Sequence, residues 1–271
     1  MKLQCGRFSL SLDRPLVMGV VNVTPDSFSD GGRYFDAQTA VAHARQLAAD
    51  GADLIDIGGE STRPGAAAVS EHEELDRVLP VVKALQDLPV SVDTRRPAVM
   101  RAVLEAGASM INDVEALGAQ GAVQAVAASG CAICLMHKKG EPATMQRDPH
   151  YDDVLVEVKS FLNERVEKCR AVGIAADRLV VDPGFGFGKT ASHNLVLLRN
   201  LRLLSDLPIL AGLSRKSTLG QLTGRPVEER LAGSLALALL ALQAGARILR
   251  VHDVGETRDV IAVWQAFKNG S

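Results

Sequence analysis

Aromatic side chains are scarce: one Trp, two Tyr and seven Phe make up 4% of the 271 residues, so Ala, Leu and Val must build the core. An excess of either charge is missing too. Thirty basic residues face 32 acidic ones for a net charge of −2, and no Lys/Arg run offers the clustered footprint that duplex nucleic acid needs. Long apolar runs are lacking. The longest, Leu235 to Leu242, is too short to cross a bilayer, and Arg7, Asp13 and Arg14 sit where a signal peptide would need its apolar segment. The expected setting is the cytoplasm, with neither membrane nor nucleic acid as partner.

Cysteines number four, Cys5, Cys131, Cys134 and Cys169, and only Cys131 and Cys134 are near neighbours. In the strand-like run CAICLM their odd spacing points them to opposite faces, so they read as buried free thiols and not as a metal pair. Phosphate-cradling GxxxxGK and GxGxxG spacings are absent, and no His triad or Glu-x-x-His pattern accompanies the acidic residues to hold a tightly bound catalytic metal.

What is present is a repeat. The stretch MGVVNVTPDSFSDGG, Met18 to Gly32, is an apolar β-branched run that stops at Asn22 and turns into a Gly/Ser/Asp-rich loop, with Pro25, Gly31 and Gly32 expected to delay the following helix. Strand-like runs recur at Leu16–Val23, Leu54–Ile57, Val90–Asp93, Met110–Asn112, Cys131–Met136, Leu179–Asp182, Ile209–Gly212 and Ile248–Val251. Helical patterns between them include 38–50, 71–86, 97–106, 152–171, 192–204 and 227–244, and the alternating Leu3 to Leu12 predicts a small hairpin in front. Three echoes, ADGADLIDIG, LEAGASMIND and LQAGARILRV, close a helix on Gly51, Gly107 or Gly245 and enter a strand at once, which is the joint of a parallel βα repeat. The length suits one (β/α) barrel domain spanning 1–271. Periodicity alone also admits an open doubly wound sheet. Polar residues at nearly every strand end (Asn22, Asp56, Asp93, Asn112, His137, Asp182, Ser214, Arg250, His252) favour the barrel, which gathers many strand ends into one cavity.

A carboxylate at the mouth of an apolar strand requires a partner, so Asp56, Asp93 and Asp182 each cap a local helix or bind a ligand. Together with Asn112 they suit a flat heterocycle rich in N–H groups, a 2-amino-4-oxo pterin or a guanine. Lys216 in GLSRKS and Arg250 with His252 in LRVHD lie at the seventh and eighth strand ends, where barrels often place phosphate, whereas Arg215 reads as a solvated surface charge. The loop GGESTRPGA, with Ser61, Thr62 and Arg63, either wraps an anion or is an ordinary loop. In DPGFGFGK, Phe185 and Phe187 either pack on the barrel or cover a flat ring beside Asp182.

NVTPDSFSDGG, DIGGESTRPGA, VDTRRP, INDV, LMH, DPGFGFGK, GLSRKS and RVHDV, in this order and over essentially the whole chain, resemble the dihydropteroate synthase family. The resemblance implies an α/β fold, a (β/α)8 TIM barrel, usually dimeric, that condenses 6-hydroxymethyl-7,8-dihydropterin diphosphate with 4-aminobenzoate and is the target of sulfonamides. Carried over residue by residue, it places the pterin at Asp93, Asn112, Asp182 and Lys216, with Met136, Phe187 and Gly212 lining that pocket. It places diphosphate at Arg250, His252 and Asn22, with Mg2+ at Asn22 and Thr62 nearby, and aminobenzoate near Phe28, Ser61, Arg63, Pro64, Lys216 and Ser217. Asp93, Asp182, Lys216, Arg250 and His252 are the expected catalytic set of an SN1-like reaction in which diphosphate departs before the arylamine attacks. Two other functions use the same pterin contacts: methyl transfer from a folate to a corrinoid protein, and a noncatalytic pterin carrier. The anion-binding residues Arg63, Lys216, Arg250 and His252 speak for the synthase.

Overall fold

The computed structural model describes residues 1–23, 32–60, 69–141 and 144–270, the side chains of 32–36 apart. A hairpin of β1 (Lys2–Cys5) and β2 (Phe8–Ser11) precedes eight parallel strands: β3 (Leu16–Asn22), β4 (Leu54–Gly58), β5 (Val90–Asp93), β6 (Met110–Asp113), β7 (Ala132–Met136), β8 (Leu179–Asp182), β9 (Leu210–Ala211) and β10 (Ile248–Val251). Their order is β8-β7-β6-β5-β4-β3-β10-β9. A parallel bridge between Val181 and Ile209, with the Val181 N–H 3.0 Å from the Pro208 carbonyl, joins the two ends into a barrel. The open-sheet alternative is thereby removed.

Helices α1 (Gly32–Ala49), α2 (Glu71–Ala84), α3 (Pro97–Glu105), α4 (Ala122–Ala127), α5 (Val154–Ala171) and α6 (Ala191–Arg199) connect successive strands. The seventh connection holds two helices, α7 (Ser217–Thr223) and α8 (Leu231–Gln243), and α9 (Val254–Asn269) follows the last strand.

The period-two alternation of a strand sorts each run into two sets. Val17, Val21, Ile55, Ile57, Val92, Ile111, Ile133, Leu135, Val181 and Leu249 face outward into one cluster with the helices. Leu16, Met18, Leu54, Met110, Ala132, Cys134, Val180, Leu210 and Ile248 face inward and share a second cluster with Leu3, Cys5 and Leu12 of the hairpin region. The inward positions two residues further on are Asp56, Asn112, Met136, Asp182, Gly212 and Arg250, so the floor of the barrel is hydrocarbon and the layer above it carries the chemistry. Ser91 and Asp93 supply the corresponding positions of β5. Cys131 lies in the outer cluster and Cys134 in the inner one, and all four thiols are free and buried, as the strand spacing predicts.

The three repeated joints are built alike. Gly51, Gly107 and Gly245 have φ near +105° (105, 107 and 104), and the next residue in each case, Ala52, Ala108 or Ala246, donates its N–H five residues back to Leu47, Val103 or Ala241. The glycine N–H groups donate in turn to Ala48, Leu104 and Leu242, and this double closure satisfies carbonyls that a helix end leaves open, at a φ that only glycine reaches without cost.

Several expected boundaries move. Helix α1 begins at Gly32 instead of residue 38: a helix N-terminus tolerates glycine, so Gly32 does not delay it. The single helix expected over 192–204 ends at Arg199 and gives way to a 3₁₀ turn at Leu201–Leu203, with the Asn200 side-chain amide donating to the Val196 carbonyl. The helix expected over 227–244 breaks at Arg230 after a 3₁₀ turn at Val227–Glu229. Arg230 donates to the carbonyls of Arg225 and Arg215, which ties the preceding loop to α8 and sets the break.

Candidate active site

The inward layer centres on Arg250. Its Nε donates to Asp56 Oδ2 at 2.6 Å and its Nη2 to Asp93 Oδ2 at 3.2 Å, while Asn112 Nδ2 donates to the same Asp56 oxygen at 3.2 Å. Asp56 is fully buried, and Arg250 and Asp93 are about a fifth exposed (20% and 22%). Burial works against the Arg250 cation, yet Asp56 and Asp93 together hold its pKa above the ordinary arginine value. Burial pushes Asp93 up to about 7, with Arg250 opposing and Asp56 and Asp113 adding to the rise. Among the described residues Asp56 Oδ1 and Ser91 Oγ, on register partners of β4 and β5, are buried without a hydrogen-bond partner.

Opposite Arg250, β8 ends at Asp182 and enters the glycine-rich loop. Asp182 Oδ1 accepts from the Gly184 N–H at 2.7 Å, and burial raises its pKa while Lys216 and that N–H oppose the rise. Lys216 stands one residue before α7. Its Nζ donates to the Phe185 carbonyl at 2.5 Å and lies 4.8 Å from the centre of the Phe187 ring. Burial lowers Lys216 to about 8, with Asp182 opposing. Gly212 matters here because a Cβ would sit 3.6 Å from Lys216 Nζ and 3.8 Å from Arg250 Cβ, space that a larger residue would fill. Phe185 is fully buried in the outer cluster while Phe187 is half-buried under the Lys216 ammonium, so both readings of the aromatic pair hold, one for each ring.

The anion side is assembled at the ends of β9 and β10. His252 Nδ1 lies 3.0 Å from Ser214 Oγ, which also accepts the His252 backbone N–H at 3.3 Å. Arg215 is not the solvated charge expected of it: it has φ +56° and grips Asp253 through Nε and Nη2, and its own N–H donates to Ser234 Oγ at 2.9 Å. This fork fixes the chain between Ser214 and Lys216. Asn22 ends β3 in register with Gly58, and a Cβ on Gly58 would lie 3.8 Å from Asn22 Oδ1 and 3.9 Å from Asp93 Cβ. Asn22 and Asp93 therefore flank Gly58 at the ends of neighbouring strands.

Around the rim, ion pairs run from loop to loop. Arg96 binds Glu74 and both oxygens of Glu60 and donates to the Val69 carbonyl at 2.6 Å; Arg95 reaches Glu60 and Glu115, and Lys138 closes on Glu115 at 3.1 Å.

The structure thus brings Asn22, Asp93, Asn112, Met136, Asp182, Phe187, Gly212, Lys216, Arg250 and His252 to one end of the barrel, with Ser217 exposed at the start of α7. Phe28, Ser61, Thr62, Arg63 and Pro64 lie outside the described residues. Two strand-end residues behave otherwise than expected. His137 turns away from the cavity: it is buried, packs edge-on against Phe161 at 5.0 Å and bonds Lys189. Asp56, absent from the expected binding set, is the principal anchor of Arg250, a role that its place two residues after the inward Leu54 signals.

Residues 18–252 match the family of pterin binding enzymes. Over 271 aligned residues the chain is 50% identical to the dihydropteroate synthase of Escherichia coli strain K12, covering 98% of this chain and 96% of that protein. Among solved structures, the Xanthomonas albilineans dihydropteroate synthase with 4-aminobenzoic acid superposes with a TM-score of 0.93 at 55% identity, covering 98% of both chains. The Burkholderia cenocepacia dihydropteroate synthase complexed with 7,8-dihydropteroate gives 0.91 at 48% identity, covering 99% of this chain and 97% of that one.

Proposed function

Since the chain belongs to the dihydropteroate synthase family, we propose that it joins 6-hydroxymethyl-7,8-dihydropterin diphosphate to 4-aminobenzoate, releasing diphosphate and forming 7,8-dihydropteroate for folate. The observation that carries this reading is the buried layer in which Arg250 is shared by Asp56 and Asp93 beside Asn112 and Asp182. It offers carboxylates for the N–H edge of a pterin and cations for a leaving anion in one cavity.

Asp182, Asp93 and Asn112 hold the ring edge, with Met136, Gly212, Phe187 and Lys216 around it. As the C–O bond to diphosphate breaks, negative charge grows on the departing oxygen and positive charge on the pterin methylene and ring. Arg250 Nε and Nη2 are held by Asp56 and Asp93, whereas Nη1 carries no hydrogen bond among the described residues, so it and His252 are the donors for the leaving group. The buried carboxylates stabilise the cationic ring until the arylamine, held near Lys216 and Ser217 with Phe28, Ser61, Arg63 and Pro64, attacks the methylene and loses a proton, while Thr62 belongs with the diphosphate. This anion equipment, unnecessary for a methylfolate, sets the reading apart from corrinoid methyl transfer.

Among the described residues no cluster of three or more His, Cys, Asp or Glu forms a metal site. The neutral amide oxygen of Asn22 nevertheless fits Mg2+, which keeps several waters and binds through few protein ligands plus phosphate oxygens. Bound there with the diphosphate, Mg2+ supplies charge neutralisation to the leaving group. Sulfonamides, as imitators of aminobenzoate, would compete for the same place. Exposed Leu240, Val263 and Phe267 on α8 and α9 support a homodimer, which sedimentation velocity decides. Buried free thiols and the lack, among the described residues, of a helix fit to cross a membrane accord with a cytoplasmic enzyme.

The test is diphosphate release with each substrate and Mg2+ omitted in turn. Release should require both substrates and fall on chelation; release independent of 4-aminobenzoate, or none at all, refutes the synthase reading.

A further inference from the structure

Lys189 is buried behind the cavity wall, 3% exposed, and among the described residues no carboxylate lies within ion-pair distance of its ammonium. An unpaired buried cation is costly unless its donors are all satisfied. Here they are: Nζ lies 2.9 Å from His137 Nδ1, 3.0 Å from the Gly184 carbonyl and 3.0 Å from the Phe187 carbonyl, with the His137 carbonyl at 3.4 Å. In the ammonium form three protons meet three close acceptors, with His137 accepting at Nδ1. Burial accordingly drives the imidazole pKa down to about 3, and Lys189 adds to the fall.

The groups that Lys189 gathers belong to the end of β7 and to the loop that carries Phe187. That loop is packed against β7 so closely that a Cβ at Gly184 would lie 1.9 Å from the His137 carbonyl oxygen, and one at Gly188 would lie 2.1 Å from that of Lys139. The Gly184 N–H is the donor on Asp182, and the Phe187 ring is the surface beneath Lys216. We propose that Lys189 is a positioning residue for the reaction: its ammonium binds the carbonyls of Gly184 and Phe187 to His137, and so holds the Gly184 amide on Asp182 and the Phe187 ring under Lys216. It touches neither substrate, and the inference rests on the pterin reading of the Asp182 pocket.

The charge acts as well as the hydrogen bonds: burial lowers Lys189 to about 7, with Asp182 opposing, so the ammonium is the prevailing form on the acid side of neutrality. Lys189 is one of the cations that restrain the rise of the Asp182 pKa, after Lys216 and the Gly184 N–H. The charged and titratable groups around Lys189 are Asp182 on β8, Lys216 before α7, His137 and Lys139 after β7, and His193 on α6, with Tyr151 donating to the neighbouring Gly188 carbonyl at 2.9 Å. Of these only Asp182 is a carboxylate.

Lys189→Met removes donors and charge at similar length; Lys189→Gln keeps two N–H donors and removes the charge. With Lys189→Met, KM for the dihydropterin diphosphate should rise about tenfold or more while KM for 4-aminobenzoate changes less than about twofold. In both variants the acid limb of kcat/KM for the pterin substrate should move to higher pH, because Asp182 protonates more readily once a neighbouring cation is gone. Tyr151→Phe, which weakens the same loop without altering charge, should leave that limb in place. An unmoved acid limb in Lys189→Gln, or an equal movement in Tyr151→Phe, overturns the proposal, and Lys189→Gln decides alone if Lys189→Met does not fold. Wild-type turnover measured first separates the two readings: its absence strikes the pterin reading, whereas its presence with unshifted variants strikes the role of Lys189.

Discussion

Replacing Arg250 with Met tests the centre of the site through stability, independently of turnover. In the native protein Arg250 is the cation shared by two carboxylates, one fully buried and one about a fifth exposed (22%). Met fills a similar length of cavity but leaves Asp56 and Asp93 facing each other with Lys216 as the nearest remaining cation of the layer. Removing one partner of a buried pair costs about 3–5 kcal/mol, because the remaining charge is left without compensation. Asp93 can escape by protonating. Asp93, pushed by burial to about 7 even with Arg250 opposing, must rise further in the variant. A carboxylate whose pKa is raised on folding binds more protons in the native state, so its unfavourable contribution is absent below the ordinary carboxylate value, grows as pH rises toward the shifted value and levels off above it. The stability gap between wild type and Arg250→Met should therefore approach about 3–5 kcal/mol near pH 8 and shrink markedly near pH 5.5, where Asp93 is protonated and no longer needs the cation. In thermal melts the larger gap corresponds to roughly 10 °C for a chain of this size. Urea unfolding at a series of pH values, followed by circular dichroism, measures it directly. A gap below about 1 kcal/mol, the value of an exposed ion pair, or one constant across the series, would refute the buried, shared geometry.

Two further perturbations address the loop after β8. Gly184→Ala places a methyl group 1.9 Å from the His137 carbonyl oxygen at φ +67°, so the loop must leave its seat; calorimetric titration should show loss of pterin binding and melts a cost of about 3 kcal/mol or more, and wild-type behaviour in both would contradict the packing. His137, with its pKa lowered to about 3 by burial, binds fewer protons folded than unfolded, so its contribution is complete above its ordinary value of about 6.5 and is lost as pH falls toward 3. Relative to wild type, His137→Leu should gain up to about 1.4 kcal/mol per pH unit on acidification through that window, and a gap unchanged by pH would show that the imidazole is not sequestered.

Much of this architecture is legible in the chain because strand alternation and glycine joints are local. Val90–Asp93, Leu179–Asp182 and Ile248–Val251 follow directly from periodicity, and the three Gly-terminated echoes become three identical helix ends. Counting inward positions two at a time also leads from Leu54 to Asp56 and from Ile248 to Arg250. What periodicity cannot carry is a side chain's partner across the barrel. His137 shares the position of a strand-end polar residue yet pairs outward, because the buried ammonium of Lys189 waits on that side. Arg215 resembles a free surface charge until Asp253, on a different strand end, is placed beside it. The break at Arg230 depends on carbonyls of Arg225 and Arg215, contacts absent from the helical pattern of its own segment.

The hairpin in front of the barrel has a consequence for traffic. Leu3, Cys5 and Leu12 close the lower end by joining the hydrocarbon of Leu16, Met18, Leu54 and Met110, and Cys5 is tied to the Ser109 carbonyl at 3.3 Å. Among the described residues the axis is thus closed by hydrocarbon at its lower end and carries its polar groups toward the other. Under the function proposed above, substrates and products share the open end, and depth would impose a queue: a pterin held by Asp93, Asn112 and Asp182 would arrive before anything stacked above it and leave only once the upper place is cleared.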